Sequence, residues 1–418
     1  MYQKYKLSNG VRVVLEKISH VRSVSIGFWV KTGSIDENVE NNGITHFIEH
    51  MLFKGTKNRT AKDIAKAIDD IGGQLNAFTS KECTCYYAKV LDTHMDIAID
   101  VLTDMLFYSL FDPEEIKKEQ SVVLEEINMY EDSPEDDVHD LLSKAVFQGH
   151  SLGFPVLGTQ KTVNSFHRNM LIKYMKEHYT PENIVISIVG NFKEEEILYL
   201  LEEKCKDFKN TFPSSGIIEP AKFIKNKFIK HKDIEQVHIC MGVEGVPINS
   251  KDHYPLLLVN TVFGGSMSSR LFQNIREDKG LAYSVYSYLS SYKDIGLFTI
   301  YSGVSPSQFD EVLRLIQEEG NNMRKIGLTE EELQKSKEQL KGNYILGLES
   351  TSSRMLSIGK SELFLNKIYS PKEIMQKIDK VSIQDIKRVI DKVFSFDEVA
   401  VSMIGNMNKN ENLKNLRC

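Results

Sequence analysis

Apolar residues recur at Ile44, Phe47, Ile48, Met51 and Leu52, the i, i+3, i+4, i+7, i+8 spacing of a helix with one buried face. Upstream, VSIGFWVKTGS (24–34) reads as a strand leaving through glycine. Downstream, a helix over 60–71 opens at Thr60 with Asp63 placed for a near capping box, and stops at Gly72-Gly73. QLNAFTS (74–80) and TCYYAKV (84–90) then form a hairpin. A long helix starts near Pro113, and IVISIVGN (184–191) closes the half as a strand.

The same order is written a second time. VHICMGVEGVP (237–247) repeats the first strand, HYPLLLVNTVFGGS (253–266) repeats GITHFIEHMLFKGT (43–56), and EVAVSMIGN (398–406) repeats the closing strand. Thr329-Glu330-Glu331 stands where Asp112-Pro113-Glu114 stands in the first half. Strands arrive as hairpins and helices in consecutive runs. That order predicts an α+β fold of two homologous domains, each a mostly antiparallel β-sheet with helices packed on one face. The expected division is 1–208, a linker at 209–232 around Phe212-Pro213-Ser214-Ser215-Gly216 and a lysine-rich stretch, and 233–418.

The first helix carries chemistry as well as a core face. His46 and His50 are four residues apart and stack on one side of it. Two imidazoles so placed can bind one zinc ion. Glu49 can lean over an open metal position without being a ligand and take a proton from water there. The plain alternative is two histidines and a glutamate on a solvated helix face. A catalytic zinc needs a third protein ligand. On the helix after Pro113, Glu119 and Glu126 lie two turns apart on one face, and Glu125 points away from it. Geometry alone leaves the choice between Glu119 and Glu126 open. In the repeat, His46, Glu49, His50 and Glu126 fall on Leu256, Val259, Asn260 and Asn343, so the polar set is lost together. One half is then chemical and the other serves binding or shape.

Composition adds limits. With 418 residues, 41% hydrophobic and 26% charged, the chain is long enough for two cores and has the balance of a globular protein. Net charge is −6, and no basic stripe with interleaved aromatics occurs, which disfavours nucleic-acid binding. No apolar run is long enough to span a membrane. Five cysteines are an odd set in a long chain, so no disulfide framework is expected, and Cys83 and Cys85 read as plain strand residues. The N-terminus has no signal-peptide pattern, and a cytoplasmic location is expected. His139 and His150 read as structural rather than as supports for a metal ligand.

With these residues in view, the whole chain resembles the pitrilysin/insulinase family of inverzincins, whose motif runs H-x-x-E-H. It is most similar to the branch holding the β subunit of mitochondrial processing peptidase and bacterial processing proteases. EQSVVLEEINMYEDSPED (119–136) matches the third-ligand helix, and the resemblance implies Glu126 as the ligand, with Glu119 supporting catalysis. NAFTSKECTCYYAKV (76–90) matches the edge strand where substrate lies, implying Asn76, Ala77 and Phe78 as contacts. FGGSMSSRLFQNIREDKGLAYSVYS (263–287) matches the segment whose Arg/Tyr pair grips substrate, here Arg276 and Tyr283. Cys83 departs from the histidine often found in relatives. The resemblance further implies one zinc per chain and a dimeric clamshell, as a homodimer or with an inactive homologue. A noncatalytic or chaperone-like scaffold subunit is the alternative function.

Overall fold

A computed structural model describes residues 2–209, 218–394 and 399–406. The expected linker centre at 212–216 and Cys418 lie outside the described residues. The chain divides into two compact units, neither contiguous in sequence: Met1–Asn128, Phe154–Ile218 and Leu346–Ser370 form one, and Met129–Gly153, Glu219–Ile345 and Pro371–Cys418 the other.

The first unit is built on a six-stranded sheet of β1 (Tyr2–Lys6), β2 (Arg12–Lys17), β3 (Ser23–Val30), β4 (Gln74–Thr79), β5 (Thr84–Leu91) and β6 (Ile184–Gly190), in the order β1-β2-β6-β3-β5-β4. Only β2 and β6 run parallel; the other pairs are antiparallel. The expected hairpin is β4 against β5, with Thr79 opposite Thr84. β4 is outermost. One face packs Val24, Ile26 and Phe28 against Ile44, Phe47, Ile48, Met51 and Leu52 of the first helix (Ile44–Leu52) and against the helices behind it. Burying an aliphatic or phenyl side chain contributes about 1.5–3 kcal/mol, so these five contacts dominate the helix's energetics.

The second unit repeats this plan. β7 (Lys227–His231), β8 (Val237–Glu244), β9 (Ala282–Ser291), β10 (Gly296–Val304) and β11 (Ala400–Gly405) form a five-stranded sheet in the order β7-β11-β8-β10-β9. The pair β7/β11 is parallel and the rest antiparallel. Strand β7 falls inside the stretch expected to be linker. Its two lysines fall on opposite faces, Lys227 exposed and Lys230 paired with Asp137, so charge on both faces hid the strand pattern.

Helices cover one face as expected, and the opposite face carries one more. In the first unit it is Thr351–Leu365, from the second half of the sequence. Its Met355, Ile358 and Leu363 pack on Val14, Trp29, Cys85, Val185 and Val189. In the second unit it is Pro134–Val146, from the first half. Ser402 Oγ donates to Val138 O at 2.6 Å, and Lys230 pairs with Asp137 at 2.6 Å. These helices follow the corresponding long helix of each half (Pro113–Asp132 and Glu330–Gly347), so equivalent parts of the repeat are exchanged. Trp29 donates its indole N–H to Ser187 Oγ at 3.0 Å beside the docked helix.

A Cβ on Gly359 would sit 2.0 Å from Trp29 Nε1. Gly359→Ala is expected to lower the thermal midpoint, at an overpacking cost of about 1–3 kcal/mol. The variant should also shift the emission of Trp29, the only tryptophan. An unchanged midpoint and spectrum would disprove the close seating of this helix.

Candidate metal centre

The first helix begins without a side-chain cap of its own. Its N-cap, Gly43, has φ +92°, and a Cβ there would meet Gly158 Cα at 2.6 Å, so glycine is required twice over. The cap comes from Glu37, six residues upstream, where no spacing rule singles it out. Its buried carboxylate accepts from Gly43 N at 2.7 Å, Thr45 N at 2.9 Å and Asn42 Nδ2 at 2.8 Å. A carboxylate at a helix N-terminus meets orphan N–H groups and the positive end of the macrodipole. Burial pushes the Glu37 carboxyl up to about 7, and these hydrogen bonds pull against it. The helix ends at Phe53, and Gly55, at φ +119°, turns the chain away.

With its apolar stripe against the sheet, the helix turns His46 and His50 toward the Pro113–Asp132 helix. Their rings lie 4.5 Å apart. Each Nε2 stands 3.7 Å from the same oxygen, Glu126 Oε2. One ligand atom from each of the three residues lies within 4.8 Å of the others, and among the described residues no other such cluster occurs. A separation of 3.7 Å is too long for hydrogen bonds. It is close to the spacing of about 3.4 Å between ligands on a tetrahedral zinc with bonds near 2.1 Å. The buried His46 Nδ1 has no hydrogen-bond partner. Two imidazole nitrogens and a carboxylate oxygen facing one another unbonded fit a divalent cation.

Glu119 and Glu126 divide the work that the sequence left undivided. Glu119 is buried, with one oxygen 2.8 Å from His50 Nδ1 and the other 2.6 Å from Lys54 Nζ. That bond fixes the ring so that His50 Nε2 faces Glu126. Burial would raise the Glu119 carboxyl, but the bonds from His50 and Lys54 hold it below its ordinary value. Burial drives His46 down to about 3, helped by His50 beside it, so it is neutral as a metal ligand must be. Burial would lower His50 too, but its bond to Glu119 and the surrounding carboxylates outweigh this and raise it. Glu49 is raised by burial, partly offset by a hydrogen bond from Thr79 Oγ1.

The other expected residues fall into two groups. Asn76, Ala77 and Phe78 lie on the outer strand β4 of the same unit. Ala77 N–H donates to Asn76 Oδ1 at 2.8 Å rather than to a neighbouring strand, and Phe78 packs edge-on to Trp29 at 5.7 Å. Arg276 and Tyr283 belong to the second unit. Arg276 sits on a π-helical turn, Phe272–Glu277, with its guanidinium carbon 4.7 Å from the Phe272 ring and 5.2 Å from that of Tyr283, which is 79% exposed. His139 and His150 are also in the second unit. His139 bonds Tyr286 and Tyr288, and His150 accepts from Leu152 N and bonds Glu219 O. Cys83, Cys85, Cys205 and Cys240 are free and buried.

Two histidines and a glutamate that face one another, with Glu49 between the histidines in sequence, on a duplicated α+β frame, match the inverted H-x-x-E-H pattern of a metallopeptidase class. The family model for Insulinase (Peptidase family M16) matches residues 12–160, and that for the Peptidase M16 inactive domain matches 165–340. An uncharacterized zinc protease of Bacillus subtilis, YmxG, is 48% identical over 97% of this chain and 100% of its own. An uncharacterized zinc protease of Streptomyces coelicolor is 41% identical over 92% of this chain and 85% of its own. A solved structure titled as a protease from Helicobacter pylori superposes with a TM-score of 0.90 at 22% identity, over 97% of this chain and 99% of that one. A peptidase M16 inactive domain from Pseudomonas fluorescens gives 0.91 at 17% identity, over 98% and 99%. The chain belongs to the insulinase family, peptidase family M16.

Replacing Lys54 by Met removes the ammonium beside buried Glu119 and leaves it the bond to His50. The zinc dissociation constant of Lys54→Met is expected to rise about 10-fold, the low end for the loss of a ligand's support, as read by competition with a chelating dye. Wild-type affinity in that variant would exclude Lys54 from the support of the site.

Proposed function

We propose that this chain is a zinc metalloendopeptidase, with His46, His50 and Glu126 holding one zinc ion and Glu49 acting as general base. The observation that carries the reading is the set of three facing, unbonded donor atoms within 4.8 Å on the helix that also bears Glu49. The names of its relatives support it. When bound, zinc supplies Lewis acidity toward the scissile carbonyl and makes water more acidic.

The remaining steps belong to side chains. Glu49 takes a proton from the attacking water and returns it to the leaving amine. An extended peptide adds to the open edge of β4, where the Ala77 N–H now spent on Asn76 becomes a backbone donor to substrate, with Asn76 and Phe78 flanking it. Recognition through backbone bonds asks little of substrate sequence. Arg276 and Tyr283 grip the substrate backbone near the cut, and Tyr283 helps stabilise the oxyanion. Their second-unit position and the exposure of Tyr283 fit a pair that meets peptide in a two-chain chamber. A homodimer is the simplest such assembly, and a heterodimer with an inactive homologue would serve the same geometry. Free buried cysteines fit a reducing cytoplasm. No helix among the described residues is long and apolar enough to cross a membrane.

The test is hydrolysis of quenched fluorescent peptides of about 10–30 residues, long enough to add as a strand. Glu49→Gln is expected to retain zinc and lose about 10²–10⁴-fold in turnover, the usual worth of a general base. A chelator should abolish cleavage, and added zinc should restore it. Undiminished turnover by Glu49→Gln would overturn the mechanism.

A further inference from the structure

The first unit ties its helix to its edge strand through one hydroxyl. Thr79 is the last residue of β4, and it shares the strand face of Leu75 and Ala77, toward the first helix. Its Oγ1 donates to Glu49 Oε2. The other hydroxyl nearby, Thr84 Oγ1, is 3.5 Å from Thr79 Oγ1 and donates instead to Thr32 O at 3.0 Å. Thr79 therefore spends its single proton on Glu49. Oε2 is held by that bond, and Oε1 carries no hydrogen bond of its own among the described residues.

We propose that Thr79 is a positioning residue for this reaction, fixing the rotation of the Glu49 carboxylate so that Oε1 faces the attacking water. Because Thr79 ends the strand on which Asn76, Ala77 and Phe78 lie, the same strand that receives the peptide aims the base. A peptide added to β4 stiffens that strand and, through Thr79, the carboxylate. The inference rests on the reading of Glu49 as general base. A purely structural role is the competing account, because the second unit has a comparable tie without chemistry: Ser287 Oγ of β9 donates to Asn260 Oδ1 at 2.7 Å.

The experiment compares Thr79→Val, which keeps the shape and removes the hydroxyl, with Thr79→Ser, which keeps the hydroxyl, in the full chain loaded with zinc. Thr79→Val is expected to lose about 10–100-fold in kcat, the equivalent of one hydrogen bond to a charged group. Its KM, zinc content and thermal midpoint should stay at wild-type values, and Thr79→Ser should recover most of the loss. In the Glu49→Gln background, Thr79→Val should cost nothing further, as for residues acting as one unit. Wild-type kcat in Thr79→Val, or equal damage in Thr79→Ser, overturns the inference while leaving Glu49 as base. A loss of midpoint that accounts for the lost activity assigns Thr79 to structure and also overturns it. Undiminished turnover in Glu49→Gln alone overturns the underlying reading instead.

Discussion

The site depends on the rotational setting of a nine-residue helix. A helix that short does not hold itself together in water. Its orientation is imposed from outside, by five apolar side chains on one flank and by Glu37 at its start. Turning it by one residue, about 100°, would carry His46 and His50 off the Glu126 face and push an apolar side chain toward it. The chemistry is therefore secured by hydrophobic packing and a buried cap more than by attraction among the polar groups. Those groups stand 3.7 Å apart and make no hydrogen bond to one another.

That division explains what could be read in advance. The helix, the hairpin and the duplication were legible because each is a local period, and packing converts period into position directly. Two of the three donor residues sat inside one such period. Glu126 and Glu119 could be narrowed to one helix face but not separated, because their difference is tertiary. It lies in Glu119 meeting Nδ1 of His50 while Glu126 faces Nε2, and in Lys54 claiming the remaining oxygen of Glu119. Glu37 left no trace, since a cap reaching across a loop has no spacing rule. Strand β7 was hidden by its lysines, and the exchange of helices by the assumption that neighbours in sequence share a core.

The two halves show what a common frame permits. Strand order is the same once β1 is set aside, down to the single parallel pair. Where the first unit has His46 and Glu49, the second has Leu256 and Val259, both buried in its core. Asn260, at the place of His50, bonds to the edge strand instead. That edge is also partly closed, because Ser287 N donates to Gly264 O. The outer strand of the first unit shows no such backbone partner among the described residues. The frame is indifferent to chemistry, and the difference lies in a handful of side chains and one open strand edge.

The exchanged helices bear on how the chain comes into being. During synthesis the first sheet is complete in its strands once β6 has emerged. The face bearing Trp29, Cys85 and Val189 nevertheless stays uncovered until residues 351–365 arrive, after most of the second half has been made. A nascent first half carries an exposed apolar surface through that interval, and no early product can be finished alone. The half of the molecule that comes first in sequence therefore waits on a segment near residue 360 before its sheet is covered on both faces, and a ribosome that stops short of it leaves a client for chaperones rather than a finished unit.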